Sequence, residues 1–415
     1  MSWAAQVSSS VRPAIVAHHD LDGIARSAIA LLSEQFRSAE VHIVYSRKHP
    51  ATNPIALAHY LKLIPSSVNP VLFIDIAIDV KNPQLYINAL AEFSKVHQVI
   101  WTEHHETDLT YLYRLAQVLS MSGTHSVALW AGPSAYDYSI ALAMWLGLDP
   151  NDTNVRELAI LTAIGDRDPK ILTILNRDQL MYYYELGNGL DVIIREISSQ
   201  SDPASYDALA RTLAINRDTV FSEARQKADQ IPTITNYDFQ RPVVIAQELL
   251  HQGWGPKSLE RLALRVDVPY AIGVSLDPRT NRYIVRAITL WTKLNQYTPI
   301  GLLLSKKLHD MGYTFYGPPA AIVIRCDTNT FDEALNIAYE LANTISSEMY
   351  VPKTVTLINE RNVAQALQSD FNTILSKLTE ILETQKKMYQ EYLTLKKRQV
   401  ELLEQATDSS AHRYD

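Results

Sequence analysis

The sequence predicts an α/β fold in which a parallel-sheet domain is followed by a smaller α/β domain. Over residues 1–170, short apolar segments alternate with helix-like segments, which is typical of βαβ units. The composition changes near residue 231, where a second series of strand-like segments begins. Residues 361–405 contain no Pro or Gly and are rich in Leu, Gln, Lys and Glu, which predicts a long C-terminal helix.

The strands of the first domain are predicted from short apolar runs. They span residues 13–17 (PAIVA), 41–45 (VHIVY), 70–78 (PVLFIDIAI) and 96–102 (VHQVIWT). Helices are predicted over residues 24–32, 51–63 and 84–94, and one continuous helical segment over residues 134–163. Ligands of open parallel sheets bind beyond the carboxyl ends of the strands, so the residues that directly follow these runs are the first candidates for function.

The second domain is predicted from four further strands and two helices. The strands span residues 243–246, 270–276, 283–288 and 320–325, and the helices span residues 298–311 and 331–345. Residues 277–281 (DPRTN) predict a hairpin turn between the second and third of these strands.

Four regions follow from these elements. They are the parallel-sheet domain (1–170), a helical connector (171–230), the smaller α/β domain (231–350) and the long helix (361–405). Apolar residues in the last region alternate at spacings of four and three. It is therefore either an amphipathic helix packed on its own protein or a coiled coil for self-association or partner binding.

Composition limits the classes of function. The chain of 415 residues has a net charge of −7, so it lacks the bulk basic charge of many nucleic-acid-binding proteins. A nucleic-acid partner would need a local basic groove or metal ions. Cys326 is the single cysteine, no secretory signal is evident at the N-terminus, and no run of about 18 apolar residues occurs. We expect a soluble cytoplasmic protein without a membrane interaction.

Acidic and histidine residues follow the predicted strands in a fixed order. Asp20 and Asp22 follow the first strand, Asp75 ends an apolar run of the third, and the pair His104 and His105 follows the fourth. Asp166 follows an apolar helical run. Each has an ordinary explanation on its own, such as a helix cap or a carboxylate that reaches solvent. Together they suggest a metal site, since imidazole with carboxylates suits manganese, iron or zinc, and carboxylates alone suit magnesium.

In this order the motifs HHDLDG, FID, EHH and GDRDP resemble those of the DHH phosphoesterase superfamily, and of its RecJ-like members in particular. The second domain resembles the DHHA1 domain of those proteins: Arg286 matches its substrate-binding arginine, and Gly317 to Ala321 matches the end of its glycine-rich loop. The resemblance extends to about residue 350.

The resemblance implies hydrolysis of phosphodiesters by two divalent ions about 3.5 to 4 Å apart, Mn²⁺ in preference to Mg²⁺. The implied metal ligands are Asp20, Asp22, Asp75, His104 and Asp166. His105 would contact the scissile phosphate, and Arg286 and Gly317 would bind the substrate between the two domains.

The chain departs from the family pattern at three places. Glu103 stands where the third motif has Asp, and Val16 stands where a histidine often precedes the first motif, although His18 or His19 can compensate. Phe315 and Tyr316 replace glycines of the DHHA1 loop. We favour core packing for these two aromatic side chains over base stacking on single-stranded nucleic acid.

Two functions of different class are consistent with these observations. The first is an active exonuclease or oligonucleotide hydrolase on single-stranded DNA or RNA, as in DNA replication or repair. The second is a non-catalytic RecJ-like component of a replicative helicase, which binds partners of the GINS type and retains only decayed motifs. A phosphatase of small nucleotides is a third alternative, and the acidic net charge is mildly in its favour.

Overall fold

Two sheets with helices packed on them make up the described part of the chain. The computed structural model describes residues 12–44, 54–62, 64–76, 78, 82–105, 109–130, 132–200, 203–294 and 296–350. The helix expected over residues 361–405 lies outside these ranges. Residues 1–346 form a single compact unit that contains both sheets. The predicted fold class, a parallel-sheet domain with a second α/β region, is confirmed.

The first sheet has five strands, and all neighbouring pairs are parallel. The strands are β1 (Arg12–His18), β2 (Glu40–Val44), β3 (Val68–Ile74), β4 (Val99–Glu103) and β5 (Val127–Trp130). Helices α1 (Leu21–Leu32), α2 (Pro54–Leu61), α3 (Pro83–Phe93) and α4 (Leu109–Ser120) connect them. The strand order is β2-β1-β3-β4-β5, so the chain adds β2 on one side of β1 and then adds β3, β4 and β5 on the other side. At such a reversal point, a ligand crevice is expected between the carboxyl ends of β1 and β3.

The segment predicted to be helical over residues 134–163 contains two helices with a short turn between them. Helix α5 (Ala135–Trp145) ends before Gly147 and Pro150, and α6 (Thr153–Gly165) begins after Asp152. The Asp152 side chain accepts hydrogen bonds from the backbone N–H groups of Asn154 and Val155, which is a strong helix N-cap. The second half of α6, from Leu158 to Ile164, is buried, and its last residue, Gly165, lies against Leu21 and Asp22 of α1.

The segment expected to be a helical connector forms α7 (Arg177–Gln200) and α8 (Pro203–Ala228). Both helices bury apolar side chains against α1 and the first sheet. Leu186, Leu190 and Phe221 belong to the same core cluster as Ile24 of α1 and Ile15 of β1. These helices therefore contribute to the core that supports the first sheet.

The second sheet has six strands in the order β10-β11-β9-β8-β7-β6. They are β6 (Tyr237–Gln240), β7 (Val243–Ala246), β8 (Tyr270–Asp277), β9 (Arg282–Thr289), β10 (Thr314–Tyr316) and β11 (Ala321–Thr328). Only β7 and β8 pair in parallel. The associated helices are α9 (Gly255–Val266), α10 (Ile300–Asp310) and α11 (Phe331–Tyr350). The sequence had not indicated the short edge strands β6 and β10 as strands.

One apolar cluster contains side chains of α6 together with side chains of the second sheet and its helix α9. It contains Ile160 and Ile164 of α6 and Ile171 of the 3-10 helix Pro169–Thr173, together with Leu259 of α9 and Ala271 of β8. Helix α6, which ends against α1, is thereby packed directly on the second sheet. Among the described helices, none is both long and apolar enough to cross a membrane.

Candidate metal centre

The five predicted metal ligands come together at the reversal point of the first sheet. Asp20 and Asp22 follow β1, Asp75 follows β3, His104 follows β4, and Asp166 caps the end of α6. The Nε2 atom of His104 lies 3.0 Å from Asp166 Oδ2, 3.2 Å from Asp75 Oδ1 and 4.0 Å from Asp22 Oδ2. Carboxylates from three separate segments thus surround one imidazole nitrogen.

The turn after β1 sets the positions of the first two carboxylates. Asp20 is the N-cap of α1 and accepts a hydrogen bond from Gly23 N at 3.3 Å, whereas Asp22 lies in the first helical turn and is buried. A Cβ atom on Gly23 would stand 2.4 Å from the carbonyl oxygen of His18, so only glycine permits this close turn. The DLDG sequence therefore brings both carboxylates to the strand end.

Asp75 occupies an unusual backbone conformation. Its φ of 57° lies in the left-handed region, which costs an ordinary L-residue about 1 to 2 kcal/mol. Its side chain is almost completely buried and lies against His104 and His18. Strained residues of this kind concentrate at functional sites, and here the conformation aims the carboxylate into the centre of the cluster.

Glu103, the departure within the third motif, orients the histidine that follows His104. Its Oε1 atom accepts hydrogen bonds from the backbone N–H groups of His104 (2.8 Å) and His105 (2.9 Å) and pairs with His105 Nδ1 at 2.5 Å. Glu103 is fully buried, whereas the His105 side chain is 47% exposed. The longer side chain therefore holds His105 at the surface of the cluster, where it can contact a ligand.

His104 is fixed by contacts on its other side. Its Nδ1 atom faces the carbonyl oxygen of Pro133 at 3.4 Å, which favours the tautomer with the proton on Nδ1 and leaves Nε2 for the carboxylates or a metal ion. Its ring is stacked on Tyr138 with 5.4 Å between the centroids. These contacts match the way in which metal-binding histidines are usually held.

His18 supplies the imidazole that Val16 does not. Its Nδ1 atom lies 2.5 Å from Asp20 Oδ2 and 3.7 Å from Asp75 Oδ2. Its Nε2 atom is buried and makes no hydrogen bond within the described residues. The nitrogen of His18 that faces the two carboxylates is therefore Nδ1, which is the atom that could bind a metal ion together with them.

Sequence reasoning missed Arg26, which is buried at the middle of the cluster. Its Nη1 atom lies 2.7 Å from Asp22 Oδ2 and 3.0 Å from Asp75 Oδ1, and its Nη2 atom lies 3.8 Å from Asp166 Oδ2. Arg26 stands one helical turn after Asp22 on α1. The i,i+4 spacing of an acid and a base in an otherwise apolar helix was the available signal in the sequence.

The electrostatics of the centre reflect crowded carboxylates, of which Asp22 and Asp75 are almost completely buried. Burial, followed by the charges of Asp75 and Asp166, raises the pKa of Asp22 to about 7. Burial and the charge of Asp22 raise the pKa of Asp20 to about 6. Burial lowers the pKa of His104, but its hydrogen bonds to Asp166 and Asp75 outweigh burial and raise the pKa to about 10. Cations, whether protons or metal ions, are therefore held strongly here.

The residues present fit a divalent metal ion. Three groups have ligand atoms that all lie within 4.8 Å of one another. They are His18 with Asp20 and Asp75; Asp22 with His104 and Asp166; and Asp75 with Glu103, His104 and His105. Mixed imidazole and carboxylate donors of this kind suit Mn²⁺, Fe²⁺ or Zn²⁺.

The second sheet carries two of the predicted substrate-binding residues, Arg286 on β9 and Gly317 directly after β10, and β11 lies between these two strands. Arg286 of β9 faces Val323 of β11, which in turn faces Tyr316 of β10, and Gly317 follows Tyr316. Residues opposite one another on neighbouring strands share a face, so Arg286 and Tyr316 lie on the same side of the sheet. Arg286 Nε donates to Ser275 Oγ at 2.8 Å.

The packing role that we favoured for Phe315 and Tyr316 is wrong. Their exposed fractions are 39% and 48%, and they lie on a three-residue strand at the edge of the sheet. Tyr316 stacks with Arg325, whose Cζ atom lies 5.2 Å from the ring centroid. Tyr316 is therefore available for contact with a ligand on the Arg286 face.

The loop after Asp166 connects the metal centre to the second sheet. Arg167, with a φ of 55°, forms a bidentate ion pair with Glu260 of α9, with N–O distances of 2.9 and 3.2 Å. Arg286 packs near the start of the same helix, beside Gly255. Helix α9 therefore contacts both the fourth motif and Arg286, the arginine that the sequence predicts to bind substrate.

No protein-family model and no curated protein matches the sequence. Solved structures similar to this chain include PggH, a pGpG-specific phosphodiesterase from Vibrio cholerae. It has 12% identity and a TM-score of 0.47, and the match covers 81% of this chain and 99% of that one. RecJ from Thermus thermophilus in complex with Mn²⁺ has 14% identity and a TM-score of 0.38, over 82% of this chain and 52% of that one.

CDC45 from Entamoeba histolytica has 8% identity and a TM-score of 0.39, over 81% of this chain and 95% of that one. RecJ, which the four motifs resemble, is thus among the similar structures. Likenesses this distant say nothing of activity, for which the side chains of the metal centre are the relevant observation.

Proposed function

We propose that this protein is a metal-dependent phosphodiesterase that hydrolyses single-stranded nucleic acid or short oligonucleotides. The observation that carries the proposal is the convergence of Asp20, Asp22, Asp75, His104 and Asp166 around one point at the reversal of a parallel sheet. The donor set favours Mn²⁺, with Mg²⁺ as the alternative. Hydrolysis requires at least one bound divalent ion, whereas the resemblance implies two.

A bound divalent ion would stabilise negative charge on the phosphate and make a water molecule more acidic. The protein's own contribution begins with His105. Burial lowers the pKa of His105, but its hydrogen bond to Glu103 outweighs burial and raises the pKa to about 9, so the imidazole is protonated at neutral pH. A half-exposed imidazolium is suited to donate to a phosphate oxygen, while Glu103 fixes its orientation.

The second sheet supplies groups that suit the remainder of the substrate. The guanidinium of Arg286 can hold a phosphate through two hydrogen bonds, and Tyr316 on the same face can stack with a base. Gly317, with a φ of 115°, stands in a turn whose close contact with Ala321 excludes a side chain. Its backbone can therefore approach a ligand closely.

A hydrolysis assay with Mn²⁺ tests the proposal. End-labelled single-stranded DNA, RNA and dinucleotides, including pGpG, are incubated with the wild-type protein and with Asp20→Asn. The substitution retains an N-cap for α1 but removes a ligand charge, so we expect wild-type cleavage and a loss of at least about 100-fold in the variant.

Asp152→Asn is the matched control, because Asp152 caps α6 away from the centre, and its rate should equal that of the wild type. If the wild-type protein cleaves none of these substrates with Mn²⁺ or Mg²⁺, the proposal is wrong.

A second candidate function is a non-catalytic subunit of a replicative helicase assembly that binds partners of the GINS type. The observation in its favour is Arg26, which gives the buried carboxylates a permanent counter-charge without a metal ion. The test is to purify the tagged protein from its own cells and identify associated proteins. Stable association with helicase or GINS-like subunits, together with absence of cleavage and of bound metal, would favour this function over the first.

A further inference from the structure

Contacts with α5 hold the Arg26 side chain in place. Its Nε atom donates to Ser139 Oγ at 3.2 Å, and its Cζ atom lies 4.5 Å from the centroid of the Tyr138 ring. Both contacts come from α5, and the Arg26 side chain is completely buried. The guanidinium therefore cannot swing out to solvent, and its Nη atoms are directed at the carboxylate cluster.

The oxygens that Arg26 contacts are ones that a metal ion would use. Nη1 lies between Asp22 Oδ2 (2.7 Å) and Asp75 Oδ1 (3.0 Å), which belong to different segments of the chain. Asp75 Oδ1 is also 3.2 Å from His104 Nε2. A cation that bridged Asp22 and Asp75 would have to occupy the space that Nη1 fills, and the two positive charges would repel each other at short range.

The donor groups differ in their distance from Arg26. The group of Asp22, His104 and Asp166 shares two of its carboxylates with the guanidinium. In the group of His18, Asp20 and Asp75, only Asp75 contacts Arg26 among the described contacts, and it does so through Oδ1, whereas Oδ2 faces His18. His18 faces both carboxylates of this group through its Nδ1 atom. Of these two groups, the group of His18, Asp20 and Asp75 is therefore the one whose ligand atoms Arg26 contacts least.

We propose that Arg26 takes the place of one metal ion, so that the centre binds a single divalent ion at His18, Asp20 and Asp75. The inference rests on the proposed function in treating this centre as a metal site. Asp22 and Asp166 then serve as the carboxylate partners of Arg26, and His104 links Asp75 to Asp166. The guanidinium supplies a fixed positive charge where the resemblance implies a second ion.

The test is the number of Mn²⁺ ions bound to the full chain at saturation, measured by metal analysis, with electron paramagnetic resonance to distinguish isolated from coupled ions. We expect one ion per chain and the spectrum of isolated Mn²⁺ in the wild type and in Arg26→Lys. In Arg26→Ser, which removes the charge and opens space, we expect two ions and an exchange-coupled spectrum. Arg211→Ser is the matched control, because Arg211 also pairs with an aspartate one turn before it but lies outside the centre.

Two further variants locate the ion even if Arg26→Ser does not fold. Asp20→Asn should lose the bound ion, and Asp166→Asn should retain it with an affinity within about threefold of wild type. Loss of the ion in Asp166→Asn with retention in Asp20→Asn would overturn the inference. Two coupled ions in the wild type would overturn it and leave the proposed function standing. No bound ion in the wild type or in any variant would overturn both.

Discussion

The candidate metal centre and the edge of the second sheet where we propose substrate binding have different physical requirements. In the centre, side chains from four segments contact one another, and each carboxylate has a partner of opposite charge. At the edge, Tyr316 ends a three-residue strand and Gly317 follows it, and both residues are exposed. The comparison teaches that an ion site needs fixed geometry, whereas a site for a chain of variable sequence needs accessible, adaptable contacts.

The largest expected effect comes from Asp75→Asn. Asn also tolerates the left-handed backbone, so the fold should be retained while a ligand charge is lost. We expect Mn²⁺ affinity, measured by calorimetry, to fall by more than about 100-fold, the upper end of what losing an outer-shell partner costs. An affinity within a few-fold of the wild type would mean that the buried centre is not the ion site.

The second effect is a dependence of Mn²⁺ affinity on pH. Burial lowers the pKa of His18, but the hydrogen bond and charge of Asp20 outweigh burial and raise the pKa to about 9. A proton and a metal ion compete for the same ligand, so affinity should be low at pH 6 and increase about tenfold per pH unit up to pH 9. Calorimetric titrations at several pH values check this. A Mn²⁺ affinity that does not depend on pH in this interval would show that His18 does not bind the ion.

The third prediction distinguishes the role of His105 in cleavage from the binding of the metal ion. In Glu103→Gln the carboxylate that raises the pKa of His105 is removed, so that pKa should decrease from about 9 toward its ordinary value near 6.5. We expect cleavage at pH 8 to fall about tenfold, because His105 becomes neutral there, while Mn²⁺ affinity changes little. Histidine NMR titration measures the pKa directly. An unchanged pKa would show that Glu103 does not control this imidazole.

The smallest effect concerns the exposed edge. Tyr316→Ala should raise KM for an oligonucleotide by about fivefold to tenfold with kcat unchanged, since stacking contributes about 1 to 3 kcal/mol per base. Tyr237→Ala is the matched control, because Tyr237 is also exposed and stacks with an arginine, Arg265, at the opposite edge of the same sheet. If the two substitutions change KM equally, Tyr316 is not part of the surface that binds the oligonucleotide.

The same contrast explains what the sequence could predict. Asp75 and His104 follow apolar strands, and the carboxyl ends of neighbouring parallel strands meet at one edge, so their convergence was predictable. Arg26 was not predicted, because a charged residue in a helical repeat usually faces solvent, and only the tertiary contacts of α5 bury it. Tyr316 was assigned to the core because hydrophobicity alone does not reveal an exposed edge strand.

The apolar cluster that contains side chains of α6 and of the second sheet has a consequence for ligand selection. Swinging the second sheet away from α6 would expose Ile164, Leu259 and their neighbours and break the Arg167–Glu260 pair. We therefore expect the cleft between the first and second sheets to keep a nearly constant width, without a hinge motion that opens and closes it. If the proposed function holds, such a cleft would select ligands by whether the distance between two of their phosphates matches the distance from His105 to Arg286.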